Sequence, residues 1–402
     1  KQLYNMLLVI KKEVIELLRD RKTLFFMIAL PLLIFPLMIG IIGFVSKQAI
    51  DKAETQVLNY ALIGGQYAPD ILKELQQPEK FSLVEIEGNA DYTSIINNEI
   101  VDFVLEIPEN YSSNVLTNGQ ANVKLYFNDA GLNLVYRRVN EIVKSQSELF
   151  QETAFSSLGL DVAQQSALIE PIVLEKVNTA DDRENWGEKI GKMLPYFLFI
   201  ICLTGAMAPA TDIGAGEKER GTLETLLISP IDRKKIVMGK FLTVCFAGTM
   251  TAMITVASMV IWGLVLSQGM PIKFVADFMA QIAMVDFLLI FLMLVPVVAI
   301  FSSLLLSISI YAKSFKEAQS YMGPMTILVI IPILLSLLPG VELKGGWAWV
   351  PLTNVSLAMK ELVKGTMDYY QLFAIFGSTV IIAGALFAFC VYWFNQEKVL
   401  FR

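Results

Sequence analysis

Histidine is absent from these 402 residues. That removes the commonest transition-metal ligand and makes Ser-His-Asp and Cys-His catalysis impossible. Oxygen-ligand metal sites stay open, so metal binding is undetermined. Cysteine is scarce: Cys202, Cys245 and Cys390 all lie in apolar runs, and the polar stretch 46–190 has none. That stretch must fold without disulfides. Charge is scarce too, at 17% of residues, against about 25% in ordinary soluble proteins. A phosphate-cradling loop is also missing. It needs G-x-x-x-x-G-K-[ST], but Gly239-Lys240 is followed by Phe241 and Gly191-Lys192 by Met193. An intramembrane Ser–Lys or Asp–Asp pair is lacking as well. The expectation is a chain that is not itself an enzyme, binds no cofactor and has no nucleic-acid partner.

What is present is hydrophobic: 55% of the chain. Crossing a bilayer takes roughly 20 apolar residues. Six stretches qualify: Leu24–Val45, Met193–Ala210, Phe241–Leu266, Phe287–Tyr311, Met322–Leu338 and Leu372–Phe394. The expected class is an α-helical integral membrane protein with six transmembrane helices. Leu24–Val45 is too long for a signal-peptide core and lacks a small-residue cleavage site, so it reads as a retained anchor. The chain opens on Lys1 rather than Met, which leads us to expect at least one residue upstream. Lysine and arginine set the orientation. They cluster before the first run, between the second and third (Lys218, Arg220, Arg233, Lys234, Lys235, with Lys240 at the border), after the fourth (Lys313, Lys316) and after the sixth (Lys398, Arg402). Both ends of the chain should therefore be cytoplasmic, with 46–190 outside the plasma membrane.

Charge supports that division. Residues 46–190 carry 23 acids against 11 bases, and the rest carries 15 against 21. Residues 46–190 read as an extracytoplasmic α/β domain inserted between the first and second spans. Strands are expected at Leu58–Ile63, Phe81–Ile86, Val101–Ile107, Val123–Phe127 and Ile172–Val177. Helices are expected at Pro69–Gln76, Asp91–Asn98, Asn110–Thr117 and Leu132–Leu158. Acidity there serves solubility before cation capture, because no carboxylate cluster has calcium-loop spacing. Residues 1–23 read as an amphipathic helix on the inner membrane face, either a simple anchor or a second contact surface for a partner.

The segment 213–230 stands apart. It is charged and helix-forming, and it lies between two membrane-length runs. On one helix, Glu217, Arg220 or Gly221, and Glu224 share a face, and Leu223, Leu226 and Leu227 share another. Ser229-Pro230 should end it, and Asp232 should cap the helix that follows. Gly214 and Gly216 read as a flexible joint at the membrane border.

The run Glu217-Lys218-Glu219-Arg220-Gly221-Thr222-Leu223-Glu224-Thr225-Leu226, then Ser229-Pro230, then Gly239-Lys240, resembles the coupling-helix signature of type-2 ABC exporter permeases. There an acidic residue, E-x-G-T-x-E-x-L, a proline and G-K recur in this order. Lys316-Glu317-Ala318-Gln319 resembles the family's second cytoplasmic motif. Trp349-Val350-Pro351-Leu352-Thr353-Asn354 resembles its extracellular re-entrant helices, within 340–370. The large domain after the first span is similar to that of the subgroup containing Nat-type sodium-efflux permeases. The resemblance implies a bacterial permease homodimer in the lipid bilayer. It also implies two copies of a cytoplasmic ATPase that carry the ATP and magnesium. Glu217, Glu219, Arg220, Gly221, Thr222, Glu224 and Leu226 would form the coupling contact. Sodium would be the exported cargo, with a drug, antibiotic peptide or lipid as the alternative.

Few residues offer a transport path. Asp286 is a carboxylate in a membrane run, although its place near the outer end suits a residue facing water or headgroups. Ser302, Ser303 and Thr204 add hydroxyls, which more often serve helix packing. A reading from another class is a membrane-anchored receptor or scaffold that uses 46–190 as a sensor. It needs only one or two spans and no regular helix at 215–228.

Overall fold

A computed structural model describes residues 2–86, 91–128, 134–175, 177, 179, 182–269, 273–396 and 398. The chain divides into a mostly helical unit (1–39 and 178–402) and an α/β unit (40–177). It begins with α1 (Gln2–Arg19) and continues into α2 (Arg21–Val45), whose helix runs on to Thr55. The turn at Phe25–Ala29 is a widened π-turn in which Leu30 N–H reaches back to the Phe25 carbonyl. Pro31 follows directly; with no N–H of its own it cannot serve the carbonyl four residues back, and a π-turn accommodates the mismatch. Pro36 likewise leaves the Leu32 carbonyl without its helical donor. The indole of Trp262 supplies one at 2.9 Å, the kind of outside donor that re-satisfies a carbonyl where proline interrupts a helix of membrane length.

The α/β unit comprises β1 (Leu58–Ile63), α3 (Pro69–Leu75), β2 (Phe81–Leu83), α4 (Tyr92–Asn97), β3 (Phe103–Glu106), β4 (Lys124–Phe127), α5 (Leu134–Ser157) and α6 (Val162–Ile169). The sheet order is β2-β1-β3-β4, parallel except for β4 against β3. Strand alternation sends Leu58, Tyr60, Phe103 and Leu105 to one face, where Ile71, Leu75 and Val139 cover them. Ala61 and Val104 face the other way, onto Ile95. Parallel neighbours require crossovers, which α3 and α4 provide. Gly64 ends β1 with φ +76°, and a Cβ there would lie 2.2 Å from the Ile107 carbonyl oxygen, so the turn admits glycine alone. Two expectations are corrected. No strand forms over the described part of 172–177, and the helix expected at 110–117 shrinks to Val115–Asn118. Short polar or β-branched runs form strands only where a neighbour pairs with them.

The helical unit continues with α7 (Asp182–Ile190), α8 (Leu194–Glu219), α9 (Thr222–Leu227), α10 (Arg233–Gln268), α11 (Lys273–Gln281), α12 (Met284–Tyr311), α13 (Phe315–Ser336), α14 (Thr353–Lys364) and α15 (Gln371–Phe394). Among the described residues, six helices are long and apolar enough to cross a membrane: α2, α8, α10, α12, α13 and α15. Helices α8, α10 and α12 form the centre, through Leu198, Phe199, Leu203, Val244, Ala252, Leu294, Val297 and Phe301. Glycines allow them to pack closely: a Cβ on Gly205 would meet Thr251, and one on Gly248 would meet Val298. Small residues at crossings are how helices approach one another where no water drives burial. Helices α13 and α15 leave apolar side chains outward, among them Ile327, Ile331, Leu334, Phe373, Val380 and Ile381.

Candidate functional site

The segment that sequence singled out, at the end of α8 and in α9, is bonded to four other helices, α1, α10, α12 and α13. Its first part is the end of α8. There Asp212–Gly216 forms a π-turn, and the Ala215 N–H that it displaces donates to Ser309 Oγ of α12 at 2.8 Å. Gly214 lies against the same serine, and a Cβ on it would sit 2.2 Å from Ser309 Oγ. The glycines expected to be a flexible joint are instead buried packing points.

The single helix expected over 215–228 is interrupted. α8 ends at Glu219, Gly221 takes φ +72° and α9 starts at Thr222. Nothing lies within 4 Å of a Cβ at Gly221, so backbone conformation alone calls for glycine there. The break separates residues that a continuous helix would align. Glu217 turns inward and is buried, while Glu219, Arg220, Thr222 and Glu224 remain exposed. Leu223 is buried and Leu226 half-buried, and Ile228 stands 86% exposed.

Glu217 is held by two ammonium groups, Lys12 of α1 and Lys240 of α10. Lys240 is completely enclosed, and it also donates to the Ile213 carbonyl at 3.0 Å and to Glu13 of α1 at 3.3 Å. Burial pulls Lys12 down, but its hydrogen bond to Glu217 and the charges of Glu13 and Glu16 more than offset this and hold it above the ordinary lysine range. Burial pushes Glu13 up, against the pull of Lys240. The carboxylates of Glu13, Glu16 and Glu217 lie within 4.8 Å of one another. Lysine ammonium groups already neutralise that cluster, so its donor set favours no metal. Val9 and Leu17 of α1 are buried too, with Val9 against Gly239 of α10. The N-terminal helix is therefore bonded into the bundle, and exposed Leu3, Leu7, Leu8 and Leu18 form a second apolar face.

The remaining predicted residues tie the site to α13. Glu219 accepts the Phe315 N–H at 2.8 Å, and Phe315 opens α13, where unsatisfied N–H groups and the helix dipole favour an anion. Lys218 donates to the Ile310 carbonyl at 2.7 Å and Arg220 to Asp212 at 2.7 Å. Thr222 Oγ donates to the Glu217 carbonyl at 3.3 Å, spanning the break. Lys316-Glu317-Ala318-Gln319 thus starts beside the 217–227 turn. Ser314 caps α13 by accepting the Glu317 N–H. Asp232 occupies the start of α10, but its carboxylate pairs with Lys235 at 2.8 Å instead of capping a backbone N–H. Sequence reasoning placed Lys240 at the membrane border and missed its role, as it missed Lys12 and Glu13. The G-K pair in the motif was the available signal.

The expected transport residues do not converge. Thr204 and Ser303 donate to the carbonyls one turn back, Ile200 and Ala299. Ser302 is buried in the bundle core. Asp286 does not face water: it is buried, and it accepts from Arg183 at 2.8 Å and from the Ala283 N–H at 3.0 Å.

A buried ion cluster thus joins the N-terminal helix, a broken helix and the start of a membrane-length helix, in a chain with six helices of membrane length among the described residues. The family model described as "ABC-2 family transporter protein" matches residues 7–399, and the chain belongs to that family. It is 24% identical over 395 residues to the ABC transporter permease protein NatB of Bacillus subtilis (strain 168), covering 97% of this chain and 98% of that protein. No solved structure matches. The chain is an ABC-2 type permease subunit, a multi-pass membrane protein homologous to NatB.

Near α14, Glu188 of α7 receives Lys192 at 3.0 Å and Lys360 and Lys364 at 3.2 Å each. Burial raises its pKa, but the three lysines outweigh that and hold the carboxyl at about 2, against 4.5 ordinarily. A depressed carboxylate stabilises the fold above its unfolded value and loses that contribution as pH falls through the folded one. The Glu188 contribution is therefore intact at neutral pH and fades between pH 4.5 and about 2. Melting temperature measured across that range should fall less steeply in Glu188→Gln than in the parent; equal slopes would contradict the ion cluster.

Proposed function

We propose that this permease subunit serves an ATP-driven exporter. Two copies would span the plasma membrane with six helices each, both ends of the chain inside and the α/β unit outside. A separate cytoplasmic ATPase, also in two copies, would carry ATP and magnesium and do the hydrolysis. The observation that carries the reading is the 217–228 turn. Its outer surface presents Glu219, Arg220, Thr222, Glu224 and Ile228 to solvent. Its inner side is bonded to α1 and α10 through Glu217, to α12 through Lys218 and to α13 through Glu219. A push on that surface would reach four helices without a flexible joint between them. The segment 340–370 would lie at the external side and gate the exit.

Sodium is the first cargo to test, on the resemblance to the Nat-type subgroup. An amphipathic organic cargo has one observation in its favour. A groove of about 590 Å³ opens along α10, α12 and α15, lined by Phe241, Pro296, Ala299, Phe376, Gly384 and Phe387. The test is reconstitution of the permease with its ATPase in vesicles, following sodium and organic cations. Glu219→Lys should cut transport-coupled ATP turnover on the order of tenfold, the equivalent of losing a charge-assisted hydrogen bond. Gly221→Pro should abolish it, since proline cannot adopt the φ of +72° found there. Unchanged turnover and ATPase binding in both variants would overturn the coupling role. Organic cation flux without sodium movement would overturn the sodium assignment.

A further inference from the structure

We propose that α7 is a clasp that holds α14 in its seat, so that the two move as one body. This goes beyond the coupling reading and holds whichever cargo the permease takes.

α14 begins in strain. Leu352, just before it, has φ +64° and ψ −47°, and Thr353 N–H closes back on the Pro351 carbonyl at 2.8 Å. This is the rarer hand of γ-turn, unfavourable for a residue with a side chain. The contacts at this end are neutral. Thr353 donates to the Pro332 carbonyl at 3.0 Å, Ser356 meets Ser336 at 2.8 Å, and Asn354 donates to Ser378 at 2.8 Å.

The other end is held by charge. The last carbonyls of a helix have no partners of their own and form the negative end of its dipole. Arg183 of α7 donates to two carbonyls of this last turn, Val363 at 3.3 Å and Leu362 at 2.8 Å, the latter also accepting the Gly365 N–H at 3.2 Å. The same guanidinium bonds Asp286 at the start of α12 at 2.8 Å. A Cβ on Gly365, which ends α14 with φ +77°, would lie 2.8 Å from the Arg183 Nε. One turn further along α7, Glu188 takes Lys360 and Lys364. On either side of Glu188 the backbones themselves come close, at Gly187 and at Gly191 just after α7. A Cβ on Gly187 would sit 2.5 Å from the Lys364 Cα, and one on Gly191 would sit 3.0 Å from the Lys360 Cα. Glycines four apart on one face, an arginine fork and a three-lysine carboxylate make this a fitted interface. The α14 helix therefore pivots at a strained, neutrally bonded end and is restrained at a charged one. The restraint comes from the segment through which the chain returns after the α/β unit closes at Val177.

Amide hydrogen exchange on the full-length permease in lipid nanodiscs tests this, and the readout involves neither ATPase nor cargo, so failure of the coupling reading leaves it intact. In Arg183→Gln and in Asp286→Asn, amides of 353–365 and of 182–191 should exchange together at least about tenfold faster, because a buried charge loses its partner. Those of 290–311 and 371–394 should keep their wild-type rates. Arg183→Lys, which keeps the charge for Asp286 and loses the fork on the carbonyls, guards against misfolding of the other two and should speed 353–365 by a smaller factor. Wild-type rates at 353–365 in all three variants would overturn the clasp. So would a rise in only one of the two segments, or an equal rise across the whole helical unit.

Discussion

Lys240→Met is expected to destabilise the permease by about 3–5 kcal/mol, the cost of removing one partner from a buried ion pair. Methionine matches the lysine in length, so little packing is lost. What remains is Glu217 and Glu13, both buried and both deprived of an ammonium group that is itself fully enclosed. Lys12 touches both acids, Glu217 at 2.5 Å and Glu13 at 3.4 Å, but it is 41% exposed, so solvent screens the charge that it offers them. Neutralising the two acids as well, with Glu13→Gln and Glu217→Gln, should recover most of the loss, since amides cost far less than carboxylates to bury. Thermal unfolding of the purified permease in one detergent measures both effects. A single variant that melts like the parent would mean that Lys240 reaches water and that α1 is not bonded to α10 through it. Under the coupling role proposed for the 217–228 turn, loss of Lys240 should also lower ATPase-coupled transport, because Lys240 links Glu217 of that turn to α1 and α10.

Gly214→Val should be nearly as severe. The added Cβ would meet Ser309 Oγ at 2.2 Å, its Cβ at 2.6 Å and its carbonyl carbon at 3.0 Å. Backbone contact of this kind cannot be relieved by rotating a side chain, and overpacking costs about 1–3 kcal/mol or more. α8 would have to move away from α12, which would also break the Ala215–Ser309 hydrogen bond. Adding Ser309→Gly should restore only part of the stability, because the backbone carbon stays in place. Gly323→Ala in α13 is the control: nothing lies within 4 Å of its Cβ, so it should be neutral or slightly stabilising. Monodispersity and melting temperature of the three variants give the comparison. Equal behaviour of Gly214→Val and Gly323→Ala would show that α8 and α12 are not in close contact at Gly214 and Ser309.

The amino-acid sequence by itself determined the helices of membrane length, because about 20 apolar residues in a row have few other stable fates. It determined the strands at 58–63 and 103–106, short runs rich in apolar β-formers, and it marked the 217–226 motif and the family it belongs to. Those features depend on near neighbours in the chain. Which charged residues face water was decided by tertiary structure alone. Glu217 and Glu224 look equivalent at helical spacing, yet a left-handed Gly221 sends one inward and leaves the other in solvent. Asp286 reads as interfacial until Arg183, distant in sequence, is found against it. Lys240 reads as a border charge until Glu13 and Glu217 enclose it. A buried charge is tolerable only with its partner, and partners that lie scores or hundreds of residues apart meet only once the helices have packed.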